Sequence, residues 1–139
     1  MRVVPFHHAH IGALKRQPEM EWLERHKIDY RCLEGPHSFS VFDRSDDIQA
    51  CLGLIEHWAG RAEAWALLGE GCRSVLPALH RKIRGYLGEC PYNRIDAAVP
   101  VEFVAAHRWV RMLGFICEAQ RMTAYLPEGR DAALYAKVK

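Results

Sequence analysis

The sequence lacks most of the features that would place it in a specialised class of protein. Its 139 residues contain no internal repeat and no long apolar run, and the formal net charge is only +2. So small a positive excess argues against a nucleic-acid-binding surface. The missing apolar run argues against a membrane span, and the opening MRVVPFHHAH has no signal-peptide core. We therefore expect a cytoplasmic protein.

Neither cysteine nor histidine is spaced as metal ligands usually are. There are five cysteines, an odd number without a CxxC pair: Cys32, Cys51, Cys72, Cys90 and Cys117. This pattern is typical of free thiols in a reducing compartment rather than of a disulfide framework or a structural zinc site. His7, His8 and His10 lie together, but no acidic or cysteine partner follows at ligand spacing. We expect no metal and interpret these histidines as a helix N-terminus.

What the sequence does contain is a strand, a glycine turn and a helix in direct succession between Ala62 and Leu87. AEAWALL predicts an apolar strand, GEGCRS a turn, and VLPALHRKIRGYL a helix with Ser74 as its N-cap. Unpaired N–H groups and the positive dipole end at such a junction favour a phosphate. With half its residues hydrophobic, the chain suits one core and one domain over residues 1–139.

The remaining periodicity predicts an α+β fold. A strand broken by Pro5 suits a sheet edge, and two helices, His8–Gln17 and Glu19–His26, follow as a hairpin. The later expected elements are strands at Ser38–Phe42, Ile48–Trp58, Ala62–Leu68 and Arg94–Val99, a helix at Glu102–Leu113, and a hairpin of Phe115–Leu126 with Ala132–Val138. This order predicts a mixed sheet: an antiparallel meander, a right-handed parallel crossover and a terminal hairpin, with helices on both faces.

Residues 105–138, AAHRWVRMLGFICEAQRMTAYLPEGRDAALYAKV, resemble a known family. They look like the alanine-rich helix, LGF turn and final hairpin of the GNAT acetyltransferase superfamily. The order of elements resembles that superfamily from Val3 to Val138, and the residues do so from Gln49 onward. The sequence is also similar to the small GNAT-like proteins of short-tailed bacteriophages, some of which are internal virion or assembly proteins. The resemblance implies a single GNAT-like acyltransferase domain.

The resemblance also implies an acetyl-CoA site where the fourth and fifth strands splay apart. Pantetheine would pair with the backbone of Ala66–Leu68, and the family's Q/R-x-x-G-x-G/A loop maps onto Ala66–Gly71. The implied cofactor-binding residues are Ala66, Leu67, Leu68, Gly69, Glu70, Gly71, Cys72, Arg73 and Ser74. Ala66 replaces the usual glutamine or arginine, and Glu70 adds a negative charge that Arg73 would have to offset.

Catalysis in the family needs a general base for the amine and a general acid for the CoA thiolate. The resemblance offers Glu63 or Glu56 as base, with water relays. The family's helix tyrosine is replaced by Val110, which leaves Tyr125 or Tyr135 of the final hairpin as acid.

Two functions stay open at this point. The first is an N-acetyltransferase that uses acetyl-CoA and an unidentified amine. The second is a catalytically degenerate phage protein with a structural, virion-assembly or binding role, whose partners would be phage structural proteins. The second would act in the host cytoplasm or the virion, and a homo-oligomer is compatible with both.

Overall fold

The computed structural model describes residues 1–139 and contains seven strands and two α-helices. The strands are β1 (Arg2–Pro5), β2 (Ser38–Phe42), β3 (Ile48–Trp58), β4 (Arg61–Leu68), β5 (Arg94–Pro100), β6 (Ile116–Leu126) and β7 (Arg130–Val138), and the helices are α1 (Leu76–Glu89) and α2 (Val104–Met112). Short 3-10 helices occupy His8–Ala13, Pro18–Arg25, Tyr30–Leu33, Cys72–Ser74 and Pro127–Gly129. None of the helices combines the length and hydropathy needed to cross a bilayer.

The seven strands form one mixed sheet in the order β1-β2-β3-β4-β5-β7-β6. β1 to β3 pair antiparallel, β4 and β5 pair parallel, and β7 pairs antiparallel with both β5 and β6. The predicted edge strand, parallel crossover and terminal hairpin are therefore confirmed. Gly114 ends the turn after α2 with a φ of +96°, a conformation that favours glycine.

The chain divides into two compact units, residues 1–55 with 65–85 and residues 56–64 with 86–139. In the first unit, neighbouring residues of β3 point to opposite faces of the sheet. Ala50 packs under α1 with Val41, Val75 and Leu79. Cys51 packs on the other face with a cluster that includes Phe6, Ile11, Leu14 and Leu67. Helical segments thus cover both faces, as predicted.

The second unit contains the parallel ladder between β4 and β5. Its pairs run from Arg61 opposite Arg94 to Ala64 opposite Ala97. Asp96 is buried between two guanidinium groups, with Arg61 Nη2 at 2.6 Å and Arg94 Nε at 2.7 Å from its carboxylate oxygens. Each cation offsets part of the cost of burying this carboxylate.

The predicted helical hairpin at the N-terminus is wrong. The structure has two 3-10 helices in its place, His8–Ala13 and Pro18–Arg25, and residues 14–17 between them are not helical. Lys15 and Gln17 instead hydrogen-bond to the end of β4. Gly12 weakens the first helix and Pro18 cannot donate an N–H to it, so pairing with a distant strand prevails over a modest local preference.

We predict opposite effects for the same substitution at two glycines. In Gly53→Ala the new Cβ would lie 2.6 Å from the backbone atoms His37 O and Ser38 Cα, whereas a Cβ on Gly85 in α1 would meet nothing within 4 Å. Gly53→Ala should lower the free energy of unfolding by about 1–3 kcal/mol. Gly85→Ala should raise it by about 0.5–1 kcal/mol, because alanine is the better helix former. Urea unfolding measures both, and equal effects would contradict the backbone contact at Gly53.

Candidate functional site

The last residues of β4 expose one edge of the strand. The N–H of Gly69 donates to Gln49 O in β3 at 2.8 Å. Because successive peptide groups of a strand point to opposite sides, Ala66 and Leu68 direct theirs away from β3. The ladder with β5 ends at Ala64, and Ala66 is exposed. Ala66 is therefore the residue of β4 whose peptide groups are best placed to pair with an added strand.

Residues 15–17 cover the next stretch of the same edge. Gln17 N–H donates to Leu68 O at 3.2 Å, Glu70 N–H donates to Lys15 O at 2.8 Å, and Arg16 bridges Gly69. Three residues, Ala66–Leu68, were predicted to bind pantetheine through their backbones. Among them, only Ala66 directs its N–H and its C=O to this edge without a hydrogen bond to residues 15–17. Leu68 has its carbonyl bonded to Gln17, and Leu67 directs its peptide groups to β3 and its side chain into the core.

The two glycines of the GEG loop make room for the side chain of Gln49. A Cβ on Gly69 would lie 3.0 Å from Gln49 Oε1, and one on Gly71 would lie 2.9 Å from it. Gln49 Nε2 in turn donates to Asp43 Oδ2 at 3.0 Å. Neither glycine has a positive φ, so their small size matters here and their conformational freedom does not.

Most N–H groups of the loop bind protein carbonyls. Between Gly69 and Val75, the donors are Gly69, Glu70, Cys72, Ser74 and Val75, at 2.8–3.3 Å. The remaining N–H groups belong to Gly71 and Arg73. The Ser74 hydroxyl donates back to Gly71 O at 3.0 Å, so the predicted N-cap role of Ser74 is wrong. The anion-binding capacity of this loop is therefore smaller than its sequence predicts.

Cys72 is a buried residue of this turn. Burial raises the pKa of its thiol, which outweighs the opposing influence of Arg73. The thiol stays protonated at neutral pH and behaves as a small apolar side chain.

A pocket of about 270 Å³ lies where α1 begins. Its lining residues are Met1, Asp43, Arg44, Ser45, Ser74, Val75 and Ala78. Arg44 contributes a positive charge. Asp43 contributes a carboxylate whose pKa is lowered, chiefly by the backbone N–H of Asp47 and then by Gln49. The pocket combines a cation and hydroxyl groups with the start of a helix, a setting that suits a phosphate group, although the Asp43 carboxylate opposes it.

The two carboxylates proposed as general base lie on opposite faces of the sheet. Glu63 Oε2 is 3.0 Å from Nε2 of the exposed His57. Glu56, the neighbour of His57 in β3, points the other way and hydrogen-bonds to Tyr92, where it contributes to a raised pKa that is due first to burial of the phenol. Glu63 is thus half-buried beside a histidine, and Glu56 is exposed but engaged with a buried tyrosine.

The two tyrosines proposed as general acid have different surroundings. Tyr135 is 1% exposed, and its hydroxyl lies 2.7 Å from His107 Nδ1. His107 Nε2 lies 3.0 Å from the carbonyl oxygens of Pro100 and Val101, so Nε2 carries the proton and Nδ1 accepts from the tyrosine. Tyr135 is therefore committed to holding β7 to α2. Tyr125 is 53% exposed and free to meet a substrate.

Arg16 is a buried cation that sequence reasoning did not identify. Its side chain is 8% exposed, Nη2 donates to Tyr30 Oη at 2.9 Å, and Nη1 has no hydrogen-bond partner. No carboxylate forms an ion pair with it. A buried guanidinium without a counter-charge is costly, which makes Arg16 a candidate for contact with an anionic group. The predicted helix over residues 8–17 gave no sign of this burial.

Similarity to known proteins is found at the level of structure. No family model and no curated protein matches this sequence. A GNAT-family acetyltransferase from Bacillus anthracis superposes with a TM-score of 0.71 and 13% identity, covering 98% of this chain and 93% of that one. Spermidine/spermine N-acetyltransferase from Vibrio cholerae superposes with a TM-score of 0.65 and 13% identity, covering 99% and 91%. The chain therefore has the GNAT fold, as the resemblance implied.

A third structure agrees over a shorter stretch. Ribosomal-protein-S5-alanine acetyltransferase from Vibrio fischeri has a TM-score of 0.60 and 20% identity, covering 73% of this chain and 60% of that one. All three proteins are acetyltransferases, and their identities to this chain are low enough that the likeness defines the fold alone.

We predict that Arg16→Met stabilises the protein. Methionine fills a similar volume without a charge, so the substitution should raise the free energy of unfolding by about 1–3 kcal/mol despite the lost bond to Tyr30. The matched control is Arg44→Met, where the arginine is exposed and the change should stay within about 0.5 kcal/mol. Thermal unfolding measures both. Strong destabilisation by Arg16→Met would show that the guanidinium is compensated in the folded protein.

Proposed function

We propose that this protein is a GNAT-like N-acetyltransferase that transfers an acetyl group from acetyl-CoA to an amine. The supporting observation is the edge of β4 at Ala66, which lies beyond the last pair of the ladder and is exposed. A pantetheine amide can add to such an edge as a short extra strand. We further propose that residues 1–139 act as one acyltransferase domain in the cytoplasm.

The surrounding residues fit the cofactor in part. Ala66 would bind pantetheine, and the N–H groups of Gly71 and Arg73, with the Arg73 side chain, would face the pyrophosphate. Arg44 in the pocket beside α1 would add a second cation. Glu70 is exposed near these groups and opposes them. When bound, acetyl-CoA supplies a thioester carbonyl as the acyl donor.

The proton transfers are assigned to residues that solvent can reach. Glu63 accepts a proton from the ammonium form of the substrate, directly or through water, and its hydrogen bond to His57 orients the carboxylate. Glu56 is a weaker candidate because of its bond to Tyr92. Tyr125 would protonate the leaving thiolate, since Tyr135 is buried against His107.

Acetyl-CoA should raise the melting temperature of the purified protein. A ligand that binds only the native state stabilises it by about 2.7 kcal/mol at about 100 times its Kd, which corresponds to several degrees. Ala66→Pro removes the N–H on the open edge without removing a bond to β3, so it should reduce the shift strongly. Ala66→Val keeps that N–H and should retain the shift.

The outcomes of this experiment separate binding from folding. Melting without ligand shows whether each variant is folded. Gly71→Asp adds a carboxylate beside the remaining loop N–H groups and also displaces Gln49, so it should abolish the shift if the cofactor binds this loop. No shift in the unmodified protein at millimolar acetyl-CoA would contradict the proposal. An equal shift in Ala66→Pro would place the cofactor elsewhere.

A second candidate function is favoured by the same end of β4. Residues 15–17 cover Leu68–Glu70, and Gln49 fills the space that the loop glycines leave. Both features suit a GNAT-fold phage protein that has lost cofactor binding and serves a structural, virion-assembly or binding role. This candidate predicts no acetyl-CoA shift, together with association of the protein with phage structural proteins in infected host cells or in virions.

A further inference from the structure

Two histidines and a glutamate meet on the surface of the N-terminal segment. His7, His8 and Glu34 each offer one ligand atom, and these atoms lie within 4.8 Å of one another. His8 Nδ1 is 2.6 Å from Glu34 Oε1. The rings of His7 and His8 are 4.3 Å apart between centroids and tilted by 30°. All three side chains are exposed, so a cation from solvent can reach them.

The carboxylate comes from a distant part of the chain. Glu34 follows the 3-10 helix Tyr30–Leu33, and the histidines begin the 3-10 helix His8–Ala13, 26 residues earlier. The expectation of no metal rested on the absence of an acidic partner at local spacing, and the fold supplies that partner. His10 is engaged elsewhere, because its Nδ1 lies 2.7 Å from Ser40 Oγ and 3.2 Å from the backbone nitrogen of His7.

The local structure holds these side chains close together. The N–H of Ala9 donates to His7 Nδ1 at 3.1 Å, so Nδ1 carries the free electron pair of the neutral ring and is the atom that a metal would bind in place of this N–H. Glu34 Oε1 also accepts the backbone N–H of His8 at 3.3 Å, so the carboxylate stays beside the second ring. Ligand atoms around tetrahedral zinc lie about 3.4 Å apart, given bonds of about 2.0–2.2 Å. Small rotations of exposed side chains bring the three atoms to that spacing.

We propose that His7, His8 and Glu34 form a zinc site. Two imidazole nitrogens and one carboxylate oxygen are a ligand set that Zn²⁺ accepts, with water in the fourth position. The bound ion would join the first 3-10 helix to the end of the third. It would thereby stabilise the N-terminal segment that covers one face of the sheet in the first unit.

The test is a titration of the metal-free protein with Zn²⁺, followed by calorimetry and by thermal unfolding. We expect one bound ion per chain and a rise in melting temperature. Glu34→Gln and His8→Ala should each weaken binding at least about tenfold, because each removes one of three ligands. Glu34→Gln keeps the size and polarity of the side chain, so its effect on folding without metal should be small.

Two controls make the result specific. His57 and Glu63 form a similar histidine–carboxylate pair without a third ligand, so His57→Ala should leave the affinity unchanged. Cys32→Ser removes the one exposed thiol, near Glu34 in sequence, and should also leave it unchanged. The proposal is overturned if the unmodified protein binds no zinc at submillimolar concentration, if Glu34→Gln and His8→Ala bind as tightly as it does, or if either control abolishes binding.

Discussion

The hydrogen bonds of Gln49 hold together the part of the molecule on which any cofactor role depends. Its backbone carbonyl accepts the N–H of Gly69, and its side chain connects the turn at Asp43 to the two loop glycines. Asp43 in turn accepts the backbone N–H groups of Ser45 and Asp47. The end of β4 and the turn after β2 are therefore both attached to Gln49, the first through its backbone carbonyl and the second through its side-chain amide, which also lies against the loop glycines. A larger residue in place of either glycine would have to displace that amide.

The contact with Gln49 gives the loop glycines a structural role that their sequence alone does not reveal. Glycines between a strand and a helix commonly let a backbone approach a phosphate. Here they let it approach a neighbouring glutamine, and most of the loop N–H groups already have protein partners. The chain has the GNAT fold, while the loop is organised largely by its own contacts. The fold does not by itself define the site, and the proposed cofactor role rests on Ala66 more than on the glycines.

The elements that the sequence predicted well are those with a strong local period. The alternation of Ser38–Phe42 and the apolar run before Gly69 define β2 and β4, and the helix between β4 and β5 requires a parallel pairing. Residues 15–17 were misassigned because their backbone partners, Leu68–Glu70, lie more than 50 positions away, at the end of β4 and just beyond it. For the same reason, the sequence did not predict the contact between His8 and Glu34, which are 26 residues apart. Glu56 and Glu63 were also predicted without knowing which face of the sheet each occupies. Glu63 bonds to His57, and Glu56, the neighbour of His57 in β3, points to the opposite face.

The segment that covers the end of β4 has a consequence for how the protein behaves at high concentration. Unpaired peptide groups along a strand are a template on which another polypeptide can add, and long exposed stretches of this kind promote aggregation. Gln17 bonds to this stretch at Leu68 and Lys15 at Glu70, and the ladder with β5 occupies it up to Ala64. What remains around Ala66 is too short to recruit a second chain as a full strand. The same shortness allows only a small extended molecule to pair there.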